Sequence, residues 1–133
     1  MALSLGGNAE FIWKLNGTNG DFHATGDIIA LSTTAPSDIR LKENIENIES
    51  GLKYIDLLRP VSYDWINKNS SDHGLIAQEV EKVLPNIVKE KQLLIEGKLS
   101  EELYKTIAYE KLIPFLIRAI QELNEEINKL KGK

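Results

Sequence analysis

The sequence contains no cysteine among its 133 residues. This absence excludes disulfide bonds, thiolate catalysis and cysteine-based zinc sites, and it is compatible with folding in a reducing cytoplasm. No apolar run approaches the roughly 20 residues that a membrane span requires. The N-terminus has no basic region followed by an apolar stretch, so no signal peptide is predicted. Membrane partners are therefore not expected.

Charge of either sign is not in large excess. The net charge is −4, with 42% hydrophobic and 27% charged residues, an ordinary balance for a globular protein. Nothing in this balance indicates binding to nucleic acid or to an anionic membrane. The length allows one domain with a modest core, and no residue pattern calls for a cofactor or a metal ion.

The region up to Pro36 is typical of strands and turns. Short strands are predicted at residues 11–15, 22–24 and 27–31, the first followed by a turn rich in Gly and Asn. Three short strands bury little surface by themselves. They are therefore expected either to pack on the rest of the chain or to pair with copies of themselves.

The middle region has a mixed pattern. Helices are predicted at residues 47–58 and 77–84, strands at 61–65 and 74–76, and a polar loop at 67–72. Trp13 and Trp65 fall in strand patterns and are expected in the core. A hairpin around Glu96-Gly97, followed by a helical turn, is the prediction for residues 89–105.

The C-terminal region, residues 109–131, carries a heptad repeat. In each seven-residue repeat, Ile occupies position a and Leu occupies position d, and the pattern continues through about three repeats. An amphipathic helix lying on its own domain is the ordinary alternative, but self-association is favoured. Ile at one heptad position and Leu at the other would alone favour a coiled coil of two helices over one of three. Leu112, Phe115 and Ala119, however, widen the apolar face enough for a third helix. The predicted seam consists of Ile113, Leu116, Ile120, Leu123, Ile127 and Leu130. The fold class predicted overall is α+β.

Residues 37–45 hold the groups best suited to chemistry. A serine hydroxyl becomes a good nucleophile when a neighbouring base takes its proton, and a lysine serves as that base when burial or a nearby cation favours its neutral form. Lys42 lies five residues after Ser37, so a bend must bring the two together. Arg40 either tunes Lys42 or pairs with Asp38. Spacing alone is a weak signal, and a solvated polar loop has the same composition.

Three landmarks in order resemble the peptidase S74 family of intramolecular chaperones. They are Ser37-Asp38 followed by Arg40-Leu41-Lys42-Glu43-Asn44-Ile45, then GLIAQEVE at residues 74–81, and YEKLIPFLIRAIQEL at residues 109–123. The resemblance covers nearly everything from residue 37 to residue 131. It implies a boundary at which residues 1–36 are a stalk end with its linker and residues 37–133 are the chaperone domain.

The resemblance also implies a function. Such domains lie at the C-terminus of phage tailspikes, tail fibres, neck appendages and endosialidases, where they assemble three chains, register the upstream β-stalk and then cleave themselves off. Carried over, Ser37 is the nucleophile and Lys42 the general base of a self-cleaving serine peptidase. The expected partners are two further copies and the upstream stalk. The expected location is the host cytoplasm during assembly, with the parent protein in the virion tail.

Several alternatives stay open. A non-cleaving trimerisation cap or a receptor-binding tip has the same overall pattern, and a metal or nucleotide site at Asp72, His73 and Glu79 is a weaker possibility. Cleavage between Pro36 and Ser37 is expected if Ser37 attacks within its own chain, through a five-membered ring. Cleavage after Ser37 instead requires a hydroxyl from another chain. Possible supporting residues are Asp38, Arg40, Gln78 and Glu79.

Overall fold

A computed structural model describes residues 13–132. The fold is α+β, as predicted, and the described strands pair only in twos. The chain divides into two compact units that interleave along the sequence: residues up to Asn44 together with Glu90–Tyr104, and Ile45–Lys89 together with Lys105–Lys133.

The first unit contains two hairpins. Strand β1 (Trp13–Leu15) pairs antiparallel with β2 (Phe22–Ala24), and Gly20 closes the turn with a φ of 79°. The rest of the strand predicted over residues 11–15 lies outside the described residues. The second hairpin joins β6 (Leu94–Ile95) to β7 (Lys98–Leu99) through Glu96 and Gly97, both at positive φ, as the sequence predicts.

Residues 27–31 of this unit were predicted as a strand, and that prediction is wrong. The segment has no hydrogen-bonded partner strand within the described chain. The next regular element downstream is a 3₁₀ turn at Ile39–Leu41. Ile28 and Ile29 are β-branched and favour extended backbone, but a strand also needs a second strand with which to exchange backbone hydrogen bonds.

The second unit holds a small core. Val80, Leu84, Ile87 and Leu112 are buried, and Val80 is the most completely enclosed, with 1% of its surface exposed. Helix α2 (Ala77–Val83) supplies Val80, and a 3₁₀ turn at Pro85–Ile87 supplies Ile87. Tyr54, Leu58, Leu75, Val83, Val88, Ile107 and Phe115 pack around these four residues.

Helix α1 (Leu52–Ile55) is much shorter than the helix predicted over residues 47–58. It packs on helix α3 (Ile113–Lys131), which follows a 3₁₀ turn at Tyr109–Leu112 and confirms the predicted C-terminal helix. The backbone of α1 approaches α3 closely at Gly51, where an added Cβ would lie 2.1 Å from the Phe115 carbonyl oxygen. Leu112, Phe115 and Ala119 face this contact within the chain rather than widening the outer stripe.

Strand β3 (Val61–Asp64) pairs antiparallel with β4 (Ser71–Gly74), so the strand predicted at residues 74–76 lies three residues too late. Strands β5 (Val88–Lys91) and β8 (Tyr104–Ile107) form the remaining pair, and β8 replaces the helical turn predicted there. Trp65 is 45% exposed beyond the end of β3, so its predicted place in the core is also wrong. Its ring lies edge to face with Tyr63, and its Nε1–H donates to Asp72 at 3.4 Å.

Candidate functional site

Ser37 and Lys42 meet in the structure. The Lys42 Nζ donates a hydrogen bond of 2.7 Å to the Ser37 Oγ. The bend that this contact requires is the 3₁₀ turn at Ile39–Leu41, which shortens the path between the two side chains. Both residues are exposed in the single chain. The two groups therefore have the separation at which a lysine amine exchanges a proton with a serine hydroxyl.

The turn between them is fixed by Asp38. Its Oδ1 accepts a hydrogen bond of 2.9 Å from the Arg40 backbone N–H, as an N-cap does at the start of a helix. The backbone N–H of Lys42 then donates to the Ile39 carbonyl at 3.1 Å. These two bonds set the direction in which the Lys42 side chain leaves the backbone. Asp38 thus acts on Lys42 through the turn and not by contact.

Arg40 binds Asp38 with both ends of its guanidinium group. Its Nε and its terminal nitrogen donate to the two carboxylate oxygens at 3.1 and 3.0 Å. The side-chain hydrogen bonds from Arg40, together with the Arg40 N–H, lower the pKa of Asp38 below its usual range. Of the two roles considered for Arg40, the structure shows the pairing with Asp38.

Glu79 is engaged elsewhere. Its two carboxylate oxygens each accept a 2.9 Å hydrogen bond from Arg59, and this bidentate pair lowers the pKa of Glu79. Arg59 was not singled out in the sequence, since twenty residues separate the partners and no local pattern links them. Gln78 is exposed at the start of α2, on the rim of a cleft lined by Tyr63, His73 and Tyr109.

Tyr109 is a further residue that the sequence pattern did not reveal. Its hydroxyl accepts a 2.9 Å hydrogen bond from the Leu75 N–H, and an added Cβ on Gly74 would lie 2.6 Å from the same oxygen. The first residue of the third landmark thus binds the second landmark directly. This contact leaves no room for a side chain at position 74.

The predicted seam residues form an exposed stripe on α3. Each of the six is between 44% and 79% exposed, and Ile117, at 52%, lies beside them. The adjoining side of the helix, which carries Phe115 and Ala119, is the one that packs on α1. The predicted heptad therefore exists as an apolar face that residues 13–132 leave exposed.

Residues 37–89 match the family model Peptidase_S74, described as the chaperone of endosialidase. These residues begin at Ser37 and include Lys42. This segment belongs to the chaperone-of-endosialidase family. The resemblance predicted from the three landmarks is confirmed for this part of the chain.

The chain is similar to long tail fiber proteins of two phages. The chain is 31% identical over 120 residues to a long tail fiber protein of Enterobacteria phage K3, covering 86% of the chain and 9% of that protein. It is 35% identical over 132 residues to the long tail fiber protein of Enterobacteria phage Ox2, covering 93% of the chain and 49% of that protein. The chain thus spans at most about half of these relatives.

A third relative lies outside phages. Myelin gene regulatory factor-like A of Dictyostelium discoideum is 30% identical over 112 residues, which cover 74% of the chain and 12% of that protein. Within residues 13–132, none of the helices has the length and apolarity needed to cross a bilayer. In the same residues, no three His, Asp or Glu side chains are grouped as a metal site.

Proposed function

We propose that this chain is the intramolecular chaperone of a phage tail fibre, which assembles three copies, aligns the upstream β-stalk and then releases itself by autoproteolysis. The observation that carries the proposal is the 2.7 Å contact between the Lys42 Nζ and the Ser37 Oγ at the start of the family segment. The tail fibre relatives supply the context of a fibre. The parent protein accordingly belongs to the virion tail, and assembly takes place in the host cytoplasm.

A chaperone of this kind solves a problem of register. Three chains that wind into one β-structure face a large loop-closure cost and many nearly equivalent slipped pairings. A module that trimerises first raises the effective concentration of the stalk ends and aligns them. Its removal afterwards leaves a product whose unfolding is opposed by a kinetic barrier. The exposed apolar stripe on α3 is the surface that serves for this assembly.

The proposed reaction begins within one chain. The Ser37 Oγ attacks the Pro36 carbonyl carbon while Lys42 takes the hydroxyl proton. The bond between the Pro36 carbon and the Ser37 nitrogen breaks, an ester to the Ser37 Oγ forms, and Lys42 passes its proton to the released Ser37 amine. Water then hydrolyses the ester, which yields the Pro36 carboxylate and restores the Ser37 hydroxyl. No cofactor or metal takes part.

The experiment is intact-mass spectrometry of the protein with its upstream fibre sequence, compared with Ser37→Ala and Lys42→Ala. We expect the wild type to yield a new N-terminus at Ser37, with both variants remaining whole. His23→Ala and His73→Ala serve as controls and should cleave as the wild type does, since the mechanism uses no imidazole. Cleavage should also persist in a chelator.

Each other outcome has a defined meaning. A new N-terminus at Asp38 keeps the Ser37 and Lys42 pair but moves the attack between chains. Cleavage in Ser37→Ala removes Ser37 as the nucleophile. An uncleaved wild type that still assembles as a trimer identifies the chain as a trimerisation cap without peptidase activity.

A further inference from the structure

The cleft beside Gln78 lies wholly within the second unit and takes no part in the proposed cleavage. The β3–β4 hairpin, the start of α2 and the segment that runs from β8 into the next 3₁₀ turn border it, and its volume is about 520 Å³. Pockets of roughly 300–1,000 Å³ that combine apolar walls with a few polar groups are typical small-molecule sites. The side chains that line the cleft therefore indicate which chemical group it can bind.

Three aromatic side chains line this cleft: Tyr63, Trp65 and Tyr109. Trp65 is 45% exposed and Tyr109 is 47% exposed, so both are accessible to a ligand. The rings of Tyr63 and Trp65 pack edge to face, with 5.1 Å between their centroids. Aromatic rings have electron-rich faces that attract cations, and the Lys68 Nζ already lies 5.4 Å from the centroid of the Trp65 ring. Three such rings in one cleft favour a cationic ligand.

The charged side chains of the cleft also favour a cation. The residues that line it and carry a charge at pH 7 are Asp72 and Lys105. The Lys105 Nζ donates to the Glu81 carboxylate at 2.9 Å, which balances its positive charge. Asp72 lies directly across the β3–β4 ladder from Tyr63, and the pKa of Tyr63 is raised by burial first and then by the charge of Asp72 and by Tyr109. Asp72 thus supplies a negative charge at the cleft.

The hydrogen bonds of Asp72 favour a cation that has no N–H groups. Its Oδ1 accepts from the His73 backbone N–H at 2.8 Å, and its Oδ2 accepts from the Trp65 Nε1–H at 3.4 Å. A primary ammonium group has three donors and is strongly hydrated, so two oxygens that are already engaged do not replace its water shell. A trimethylammonium group has no donor, and aromatic faces attract it directly. The cleft therefore suits a methylated ammonium better than a bare one.

We propose that this cleft binds a trimethylammonium group. The three aromatic rings contact the methyl groups of the ligand, and the Asp72 carboxylate balances its charge. The site uses none of the residues of the proposed cleavage reaction, so ligand binding is a second and independent property of the chain. Trimethylammonium groups occur in choline headgroups and in trimethylated lysine side chains, which present the same cation on different carriers.

Calorimetric titration of the full chain with choline tests the site. The chain carries Ser37→Ala, so that it stays whole throughout the measurement. We expect saturable binding of choline with a Kd on the order of 1 mM. Ethanolamine is the matched ligand, because it differs from choline only in the three N-methyl groups, and it should bind at least about tenfold more weakly. Ethanolamine that binds as tightly as choline, or no binding of choline, overturns the proposal.

Variants locate the binding in this cleft. Trp65→Ala removes one ring, and Asp72→Asn removes the charge while keeping the shape, so each should weaken choline binding about tenfold. Lys68→Gln removes the cation that lies over the Trp65 ring and should tighten binding roughly threefold, a gain that a misfolded variant cannot produce. Trp13→Phe is the control, since Trp13 stacks on Phe22 in the first unit, and it should bind as before. Unchanged binding in Trp65→Ala and Asp72→Asn overturns the proposal.

Three further ligands identify the carrier of the group. Phosphocholine that binds more tightly than choline assigns the site to a headgroup, and Nε-trimethyl-lysine that binds more tightly assigns it to a modified side chain; either result supports the proposal. Glucose is the neutral comparison, and glucose that binds more tightly than choline overturns it. Cleavage is measured separately, so a chain that binds choline without cutting overturns only the proposed autoproteolysis.

Discussion

Gly51 shows how one residue determines the packing of the second unit. An added Cβ would lie 2.1 Å from the Phe115 carbonyl oxygen and 2.5 Å from the Ala119 nitrogen. Both neighbours are helix backbone, which cannot move aside as a flexible side chain does. Gly51 therefore allows α1 to approach α3 at a distance that no other residue permits.

We expect Gly51→Ala to lower the free energy of unfolding by about 3 kcal/mol, because the helices must separate to admit the methyl group. Chemical denaturation followed by circular dichroism measures the change. Gly26→Ala is the matched control, since nothing lies within 4 Å of the added Cβ there and its φ is not positive. The control should change stability by less than about 1 kcal/mol. Equal effects at the two positions would contradict the close-packing argument.

The roles of Ser37 and Lys42 remain predictions, although the two side chains are in contact. The pair was identified from its resemblance to a family signature, because a serine and a lysine five residues apart are common. The Asp38 cap that turns the chain between them is a local pattern and was within reach of sequence reasoning. The partner of Glu79 was not, since Arg59 meets it through tertiary packing alone.

Helix α1 is an element that lacks its own cap. Gly51 stands at its N-cap position and has no side chain to accept a hydrogen bond. Glu122 of α3 supplies the missing acceptor: its carboxylate accepts from the N–H groups of Gly51 and Leu52 at 3.0 and 3.1 Å, and from the Ser50 hydroxyl at 3.2 Å. Arg118 lies 3.6 Å from the same carboxylate. Glu122 of α3 thus caps the N-terminus of α1.

This arrangement predicts a pH dependence. Burial alone raises the pKa of Glu122, but the hydrogen bonds from Leu52, Ser50 and Gly51 outweigh burial and leave the pKa lowered. A carboxylate with a lowered folded-state pKa stabilises the fold above its unfolded-state pKa, and the contribution is lost as the pH falls through the folded-state value. The melting temperature should therefore fall as the pH drops below about 4.3, the ordinary pKa of glutamate.

Glu122→Gln should lower the melting temperature at pH 7 and flatten this acid decline, because the amide keeps one acceptor but loses the charge. The control is Glu126→Gln, since Glu126 is 64% exposed and pairs only with Lys129 on the surface. Thermal unfolding monitored by circular dichroism between pH 3 and pH 7 gives both curves. An unchanged acid decline in Glu122→Gln would assign the pH dependence to another group.

The predicted secondary structure was correct for the elements that a local residue pattern specifies. The heptad of α3 and the Glu96-Gly97 hairpin were predicted, since helical periodicity and positive φ are written in adjacent residues. The predictions were wrong at α1 and at residues 27–31. There, the length of an element depends on a distant carboxylate or on a partner strand, neither of which leaves a local signal.

At the scale of the whole molecule, the part of the chain that the structure describes leaves the apolar stripe of α3 exposed. The α3 stripe continues over the full length of the helix, while the adjoining face of the helix already packs on α1. The stripe includes Ile117 beside the six heptad residues, so it is wider than the two-residue seam of a simple dimer. Leu112, Phe115 and Ala119 do not contribute this width, but Ile117 does. The domain boundary after residue 36 and the assembly of three copies both remain predictions.

We expect sedimentation equilibrium to give three times the 15.0 kDa chain mass at micromolar concentration. Ile120→Asp should abolish this assembly, because three carboxylates would enter one apolar seam and each would have to pair or take up a proton. Ile120 is 66% exposed in the single chain, so the substitution leaves the chain's own core unchanged, and its helical circular dichroism should persist. Asn128→Asp adds the same charge outside the seam and should stay trimeric. A stable monomer or dimer in the wild type would contradict the three-chain assembly, whereas a trimeric Ile120→Asp would place the contact on a surface other than the α3 stripe.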